Sequence, residues 1–190
     1  MDEPILRTER LLLRRLGPGD VDAFAAMNAD PEVMHYFEKP LDRSETEAMI
    51  TRIDRHFARH RFGWFAVEAP GVAPFVGFVG ISYPRFHAHF TPAVEVGWRL
   101  ARPFWGMGYA TEAGRASIDF AFDRLCLDEV VSMAVADNER STRVMARLGM
   151  MRRSEDDFGH PKLPFDHSLR RHVLYRISKE NWVRQRSQAS

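Results

Sequence analysis

The spacing of apolar residues changes along the chain, and each change predicts a different element. An apolar run within residues 6–16 predicts a first strand. The turn former Gly-Pro-Gly-Asp at 17–20 then introduces a helix that ends at Asp30-Pro31. Residues 44–60 repeat apolar side chains at helical spacing behind Ser44-x-x-Glu47, which is typical of a capping box. The chain therefore begins with a predicted strand and two helices.

The middle of the chain predicts three strands and a long helix. Runs typical of strands fall at residues 64–67, 75–81 and 93–100, and turn formers separate them. An antiparallel meander is the simplest arrangement of these three runs. A long helix is predicted to begin near Gly106–Gly108 and to continue to about Leu125.

The last third predicts a strand at Asp128–Ala136, followed by a helix that Asn138 caps and Gly149 stops. Residues 151–171 are polar and predict a short strand and a loop, and residues 172–178 predict a final strand. Strands and helices mix along the chain, but the central strands follow one another. This order predicts an α+β fold rather than a doubly wound parallel sheet.

Composition favours one domain and argues against several classes of protein. The 190 residues are 45% hydrophobic, so a single domain over 1–190 is predicted. With 27 Lys+Arg against 26 Asp+Glu, nothing points to a nucleic-acid or membrane partner. Neither a membrane-spanning run nor an apolar signal core is visible in the sequence. Cys126 is the only cysteine, so an intrachain disulfide is excluded. We expect Cys126 to be buried and inert in a cytoplasmic protein.

The segment with the clearest chemistry is a glycine-rich loop between the third strand of the meander and the long helix. The first turn of a helix leaves N–H groups unpaired and carries partial positive charge, which suits a phosphate. Gly106, Gly108 and the small Ala110 would let a pyrophosphate approach the backbone. Glycines before a helix are also ordinary loop residues, so this motif alone is weak. It matches neither a Walker loop nor a dinucleotide-binding fingerprint.

Several motifs in the same order make the whole chain resemble a known family. WGMGYATEA at 105–113 resembles the acetyl-CoA loop of the GNAT acetyltransferase superfamily, in its RimJ/RimL-type branch. VEVGWRL at 94–100 is similar to the fourth strand of that branch. Asn138-x-x-Ser141 with Leu148-Gly149-Met150 is similar to its Asn-x-x-Ser…Leu-Gly-Phe motif. The resemblance implies a mostly antiparallel sheet flanked by helices, with splayed fourth and fifth strands.

The resemblance also implies acetyl-CoA as the co-substrate, without a metal. Pantetheine would lie between the splayed strands and bond main-chain groups of Trp98 and Leu100, with Gly97 at a bulge. Asn138 would contact the pantetheine or the substrate as well as cap its helix. The pyrophosphate would lie on the loop and first helical turn formed by Trp105, Gly106, Met107, Gly108, Tyr109, Ala110 and Thr111.

Acetylation of an amine needs a proton acceptor, because a lysine-type amine with a pKa of about 10.4 is mostly protonated at neutral pH. Glu95 is the candidate base, directly or through water; alternatively it is a solvated strand residue or an ion-pair partner of Arg99. Ser141 is the candidate acid or thiol-orienting group, with a purely helix-capping role as the alternative. Many superfamily members use a tyrosine for this role at a position that is Met145 here. A methionine side chain cannot donate a proton.

The acceptor is the least determined part of the sequence. Residues 34–38 and 85–90 are predicted to border its cleft, and they show no acidic cluster of the kind that a polyamine would need. We expect a small-molecule amine or a protein N-terminal amine as acceptor, and a monomer or homodimer. No third ligand accompanies His87-x-His89 at credible metal spacing, and His160, His167 and His172 are predicted at the surface. A non-catalytic acyl-CoA-binding module on the same fold is the alternative function.

Overall fold

Two short antiparallel strands form one edge of the sheet in the computed structural model, which describes residues 6–188. They are β1 (Leu6–Arg7) and β2 (Leu12–Arg14). The single strand predicted over 6–16 is therefore interrupted. Thr8 closes a turn there, because its N–H donates to the Leu11 carbonyl at 3.0 Å and the Leu11 N–H donates to its hydroxyl at 3.0 Å.

The helix pair that follows is α1 (Val21–Ala29) and α2 (Arg43–His60). The predicted capping box of α2 is shifted by two residues. Asp42 is the cap and accepts from the Glu45 N–H at 2.8 Å, while the Glu45 carboxylate accepts from the Asp42 N–H at 3.0 Å. Ser44 lies inside the helix. Either register satisfies the pattern of a polar cap followed three residues later by Glu, so local sequence does not separate them.

The predicted antiparallel meander is present as β3 (Trp64–Ala69), β4 (Ala73–Ser82) and β5 (Glu95–Leu100). The register between β4 and β5 is unbroken from Ser82↔Glu95 to Gly77↔Leu100. The predicted bulge at Gly97 is therefore wrong. A Cβ at this position would lie 2.8 Å from the indole ring of Trp64, so glycine is needed here to make room for that ring.

The long helix is α3 (Tyr109–Asp123), and it leads to β6 (Glu129–Val135), which runs parallel to β5. The two strands share a single pair, Glu95↔Val131, and then diverge. Next comes α4 (Glu139–Arg147), where the Asn138 side chain accepts from the Ser141 N–H at 3.1 Å. Gly149 follows with a left-handed φ of 72°. The predicted cap and stop of this helix are thus confirmed.

The C-terminal part adds β7 (Met151–Arg152), β8 (Phe158–Gly159), β9 (Arg171–Ser178) and a helix, α5 (Lys179–Gln188). Strand β9 pairs with the whole of β6, and the two short strands both pair with β9. The pattern did not predict α5, because its segment is mostly polar. The helix is held by Trp182, whose side chain is fully buried.

The described strands form one sheet in the order β1-β2-β3-β4-β5-β6-β9-β7, with β8 paired to β9. All pairs are antiparallel except β5–β6, and this confirms the predicted fold class, including the splayed strands. Alternation along β5 places Val96 and Trp98 against the apolar core next to α3. Glu95, Gly97 and Arg99 consequently project from the opposite face.

Four further expectations concern Cys126, membrane-spanning segments, a signal core and the number of domains. Cys126 is exposed, not buried, because it occupies a left-handed turn with φ of 54° between α3 and β6. Within residues 6–188, no helix has the length and apolar character needed to cross a membrane. The expectation of no signal core falls partly on residues 1–5, outside the described part, and the single domain over 1–190 stays a prediction.

The buried indole of Trp182 predicts how strongly α5 stabilises the fold. Its Nε1–H donates to Asp119 of α3 at 2.9 Å. Trp182→Ala should lower the free energy of unfolding by about 3–5 kcal/mol, because it leaves a large cavity. Val183→Ala, at a side chain that is 48% exposed, should change it by less than about 0.5 kcal/mol. Urea denaturation measures both, and equal effects would contradict this account of α5.

Candidate active site

A cleft of about 700 Å³ opens where β5 and β6 diverge. It is the place where the residues predicted from separate motifs come together. Met107 is the exception, since it does not line the cleft and its side chain is 44% exposed. The predicted residues that do line the cleft are Glu95, Trp98, Leu100, Trp105, Gly106, Gly108, Tyr109, Ala110, Thr111, Asn138 and Ser141.

The register of β5 decides which of its main-chain groups face the cleft. Hydrogen-bonded and non-bonded pairs alternate along an antiparallel ladder, and the Ala101 N–H donates to the Val76 carbonyl at 3.0 Å. Val96, Trp98 and Leu100 therefore direct their N–H and C=O groups away from β4. Their side of β5 is the one that meets β6, since the Val131 N–H donates to the Val94 carbonyl at 2.9 Å.

The divergence of the two strands leaves part of this row without a partner. Beyond the pair Glu95↔Val131, no residue of β6 pairs with β5. Within the described chain, Leu100 is partly satisfied because its carbonyl accepts from the Trp105 indole N–H at 2.8 Å. Groups of Trp98 remain available to the amides of an extended ligand lying between the strands.

The loop before α3 provides a second row of unpaired groups. Gly106 and Gly108 have φ of 77° and 81°, a left-handed conformation that favours glycine. A Cβ at Gly106 would meet nothing within 4 Å, so here glycine is required by the backbone and not by crowding. Backbone N–H groups of residues 106–111 donate to no carbonyl in the described part of the chain. The site fits a pyrophosphate at a helix N-terminus.

A partly buried carboxylate ties this loop to the N-terminal turn. Glu112 accepts from the Thr8 hydroxyl at 2.6 Å and from Arg10 Nε at 2.7 Å, while Arg10 Nη1 donates to the Met107 carbonyl at 3.0 Å. Partial burial alone would raise the pKa of Glu112, but the hydrogen bonds from Thr8 and Arg10 hold it below its usual value. Glu112 thus has a structural role in the first turn of α3.

The entrance of the cleft is rich in arginine, which the sequence interpretation missed. Arg140, Arg143 and Arg147 lie on α4 and line the cleft. The Arg140 guanidinium stacks 4.3 Å from the centre of the Trp105 ring. Their spacing of three and four residues, which places them on one side of a helix, was the available signal. Arginines in this position favour an anionic ligand such as a phosphate.

Glu95 projects into the cleft from the last point at which β5 and β6 pair. The side chain is half-buried, and burial raises its pKa to about 7. No hydrogen bond or ion pair to its carboxylate occurs within residues 6–188. The alternative pairing with Arg99 is not found, since Arg99 Nη1 donates to Asn28 Oδ1 at 2.6 Å. The geometry leaves the Glu95 carboxylate available to a ligand.

Ser141 lines the opposite wall, one turn into α4. Its N–H is bonded by the Asn138 cap, while its hydroxyl has no partner in the described chain. Met145 is fully buried in the core and does not line the cleft. Met145, which stands where many family members have a tyrosine, therefore contributes to core packing and brings no polar atom to the cleft.

Residues on both predicted acceptor segments line the far side of the cleft. Tyr36 bridges it, because its hydroxyl donates to the Asp137 carbonyl at 3.0 Å. Phe86 represents the second segment, and its ring packs 4.6 Å from that of His160. The surface placement predicted for His160 and His172 is wrong, since both line the cleft. Burial, reinforced by the neighbouring cations, lowers the pKa of His160 to about 4.

Comparison with known proteins agrees with this geometry. The chain belongs to the acetyltransferase (GNAT) domain family, which it matches over residues 10–151. It is 29% identical to the FsC-acetyl coenzyme A-N(2)-transacetylase of Aspergillus fumigatus, over 96% of this chain and 79% of the relative. It is 30% identical to the uncharacterized protein YkkB of Bacillus subtilis, over 76% of this chain and 84% of the relative.

A solved structure shows the same fold. The acetyltransferase of Agrobacterium tumefaciens is 28% identical, with a TM-score of 0.74 over 94% of this chain and 96% of that chain. GNAT acetyltransferases use acetyl-CoA, and the family supports acetyltransferase activity for this chain.

The half-buried carboxylate of Glu95 predicts a pH-dependent stability. Its pKa is raised from 4.5 to about 7, so between these pH values the folded protein retains a proton that the unfolded chain releases. Stability must then fall as the pH rises through this window. Relative to Glu95→Gln, the wild type should lose about 1–3 kcal/mol of unfolding free energy by pH 7.5. Urea titrations at several pH values measure the difference, and the exposed Glu9→Gln variant should show none.

Proposed function

We propose that the protein transfers an acetyl group from acetyl-CoA to a primary amine, by direct attack in a ternary complex. The observation that carries this proposal is the unpaired Glu95 carboxylate, which lies in the cleft beside the gap between β5 and β6. Its raised pKa suits a base that must accept a proton near neutral pH. The naming of the Aspergillus relative as an acetyl coenzyme A transacetylase is consistent with this reaction.

The chain has matching groups for each part of the co-substrate. Main-chain groups of Trp98, and the Leu100 N–H, would bond the pantetheine amides between the strands. The N–H groups of residues 106–111 would hold the pyrophosphate, and Arg140, Arg143 and Arg147 would neutralise phosphate charge. Because most of these contacts are main-chain groups, the cofactor would be bound largely independently of the catalytic side chains.

Acetyl-CoA supplies the thioester, and the residues around it assist the attack. Glu95 takes a proton from the amine, directly or through water. The Trp98 N–H faces the gap and can donate to the oxygen that gains negative charge, an effect that often exceeds acid–base assistance. The Val96 N–H is used in the single pair between β5 and β6. Ser141 can orient or protonate the departing thiolate. The buried Met145 cannot take that last role.

The non-catalytic alternative has no supporting observation. It would require the polar side chains to point away from the cleft, whereas Glu95 and Ser141 both line it. Membership of the RimJ/RimL-type branch is supported by the glycine loop and the Asn138–Ser141 motif. A small-molecule amine or a protein N-terminal amine remains the proposed acceptor. A cytoplasmic location and a monomeric or dimeric state stay predictions.

The pyrophosphate site predicts a charge-sensitive response to acetyl-CoA. Binding should raise the melting temperature by mass action, and Thr111→Glu should abolish this rise by adding negative charge at the first turn of α3. An acidic residue there favours the helix itself, so loss of binding could not be attributed to loss of the helix. Thermal denaturation with and without acetyl-CoA measures the shift.

The matched control is Thr111→Gln, which adds similar bulk without charge and should retain most of the shift. A wild-type protein that shows no shift at millimolar acetyl-CoA would overturn the assignment of this site. Equal shifts in wild type and Thr111→Glu would have the same consequence.

Steady-state kinetics test the catalytic assignment. Glu95→Gln should lower kcat by about 10²–10⁴, the usual contribution of a general base, while the affinity for acetyl-CoA measured by calorimetry stays nearly unchanged. Ser141→Ala should cost less, since water can substitute. The wild-type kcat should rise with pH and level off above about 7, where Glu95 is deprotonated.

Retention of more than about a third of kcat by Glu95→Gln would make Glu95 a structural residue. Ping-pong kinetics with an isolable acetyl-enzyme would reject direct attack.

A further inference from the structure

Arg99 is a second charged residue on the cleft face of β5, four positions beyond Glu95. Its side chain lines the cleft beneath the segment that follows α1. The guanidinium stacks 4.0 Å from the ring centre of Phe37 and 5.3 Å from that of Phe78. A half-buried cation between aromatic rings is therefore part of the acceptor side of the cleft.

The charge of Arg99 has only partial compensation from the protein. Nη1 donates to Asn28 Oδ1 at 2.6 Å, but Nε is buried without a partner. Within residues 6–188 no carboxylate pairs with the guanidinium, and burial lowers the pKa of Arg99 to about 10. Of the cleft carboxylates, Glu32 pairs with Arg102, and Glu38 lies close enough to His160 to influence its pKa.

The guanidinium is also held in a fixed position. Asn28 is fully buried, and its Nδ2 donates to the Thr46 hydroxyl of α2 at 3.1 Å. This contact directs Oδ1 of the same amide toward Arg99. The chain thus positions a cation through a hydrogen-bonded series that joins α1, α2 and β5.

Such an arrangement is costly without an anion. Buried charges are normally paired, because removal from water is penalised. An amide oxygen and two ring faces compensate only in part. Arginine keeps several N–H donors in a planar fork that matches a carboxylate, so a carboxylate is the ligand chemistry that would complete this site.

We propose that Arg99 binds a carboxylate of the acceptor, so that the substrate class is an amine that also carries a carboxylate. This inference rests on the proposed function and names its substrate class. Arg99 is four residue steps along the strand from Glu95, which corresponds to about 13 Å between their Cα atoms. An acceptor whose amine and carboxylate are separated by about this distance would contact both residues.

The position of Arg99 favours the acceptor over the cofactor as the source of the anion. The groups suited to phosphate are the glycine loop and the arginines of α4. Arg99 projects from the face of β5 opposite to Val96 and Trp98, which pack toward α3. A carboxylate on the acyl donor is the other source, and the experiment below separates the two.

The test uses alanine peptides of two, three and four residues as amine acceptors, each with a free C-terminal carboxylate or a C-terminal amide. An extended peptide spans about 3.3–3.6 Å per residue, so the longer peptides reach both residues. Free-thiol release from acetyl-CoA measures kcat/KM. For the tri- and tetrapeptides, the wild type should prefer the carboxylate over the amide by about tenfold or more, as charged hydrogen bonds allow.

Arg99→Met should reduce this preference to within about twofold while activity toward the amides is retained. Arg99→Lys should keep part of it, since the charge remains without the fork. Asn28→Asp should also weaken the preference for carboxylate peptides, because the new carboxylate would form an ion pair with the Arg99 guanidinium. This variant keeps the proposal testable if Arg99→Met fails to fold. Arg184→Met, an exposed arginine on α5, is the matched control and should leave the preference unchanged.

Two results would overturn the proposal. One is an equal loss of activity toward carboxylate and amide peptides in Arg99→Met, which would make Arg99 structural. The other is an Arg99-dependent preference for succinyl-CoA over acetyl-CoA, which would place the carboxylate on the donor.

Absence of transfer to every peptide would count against peptide amines as acceptors in the proposed function, and the Arg99 site is then tested by binding. Calorimetry then measures the affinity of the CoA-bound protein for the same peptides and decides whether Arg99 binds a carboxylate. Tighter binding of the carboxylate forms that depends on Arg99 supports the site, and equal binding rejects it.

Discussion

The single pair between Glu95 and Val131 is the feature on which the rest of the site depends. Because β5 and β6 are parallel and separate immediately after this pair, β5 keeps a row of main-chain groups without a partner strand. Unpaired backbone groups beside a cleft are costly unless a ligand or water satisfies them. The divergence therefore creates a site for an extended ligand within an otherwise regular sheet, and it places Glu95 at the closed end of that site.

The glycine loop is useful only because distant residues hold it in place. Gly106 and Gly108 have a left-handed backbone and no side chains that could anchor the loop. Arg10 and Thr8 reach it from the N-terminal turn through Glu112, and the Trp105 indole ties it to the Leu100 carbonyl. The N–H groups are thus pre-positioned for a phosphate, which reduces the ordering that binding would otherwise require.

Opposite charges share one face of β5 without neutralising each other. Glu95 and Arg99 are four residues apart, and the Trp64 ring lies over Gly97 between them. Burial acts on both in the direction of the uncharged form, raising the pKa of Glu95 and lowering that of Arg99. Direct pairing would remove both from reaction with a ligand, so their separation is what leaves a proton acceptor and an anion site in the same cleft.

Local sequence determined much of this protein. The meander, the glycine loop, the Asn138 cap and the Gly149 stop depend on turn chemistry and spacing over a few residues, and all are present. Tertiary structure alone decided the Asp42 cap over Ser44, the α5 helix anchored by Trp182, the exposure of Cys126, and the placement of His160 and His172 in the cleft. The prediction of a bulge at Gly97 was also wrong. Glycine is required there by the ring of Trp64, which lies on β3 and not on a strand next to β5. These features depend on which distant side chains meet, and periodicity along one segment carries no information about that.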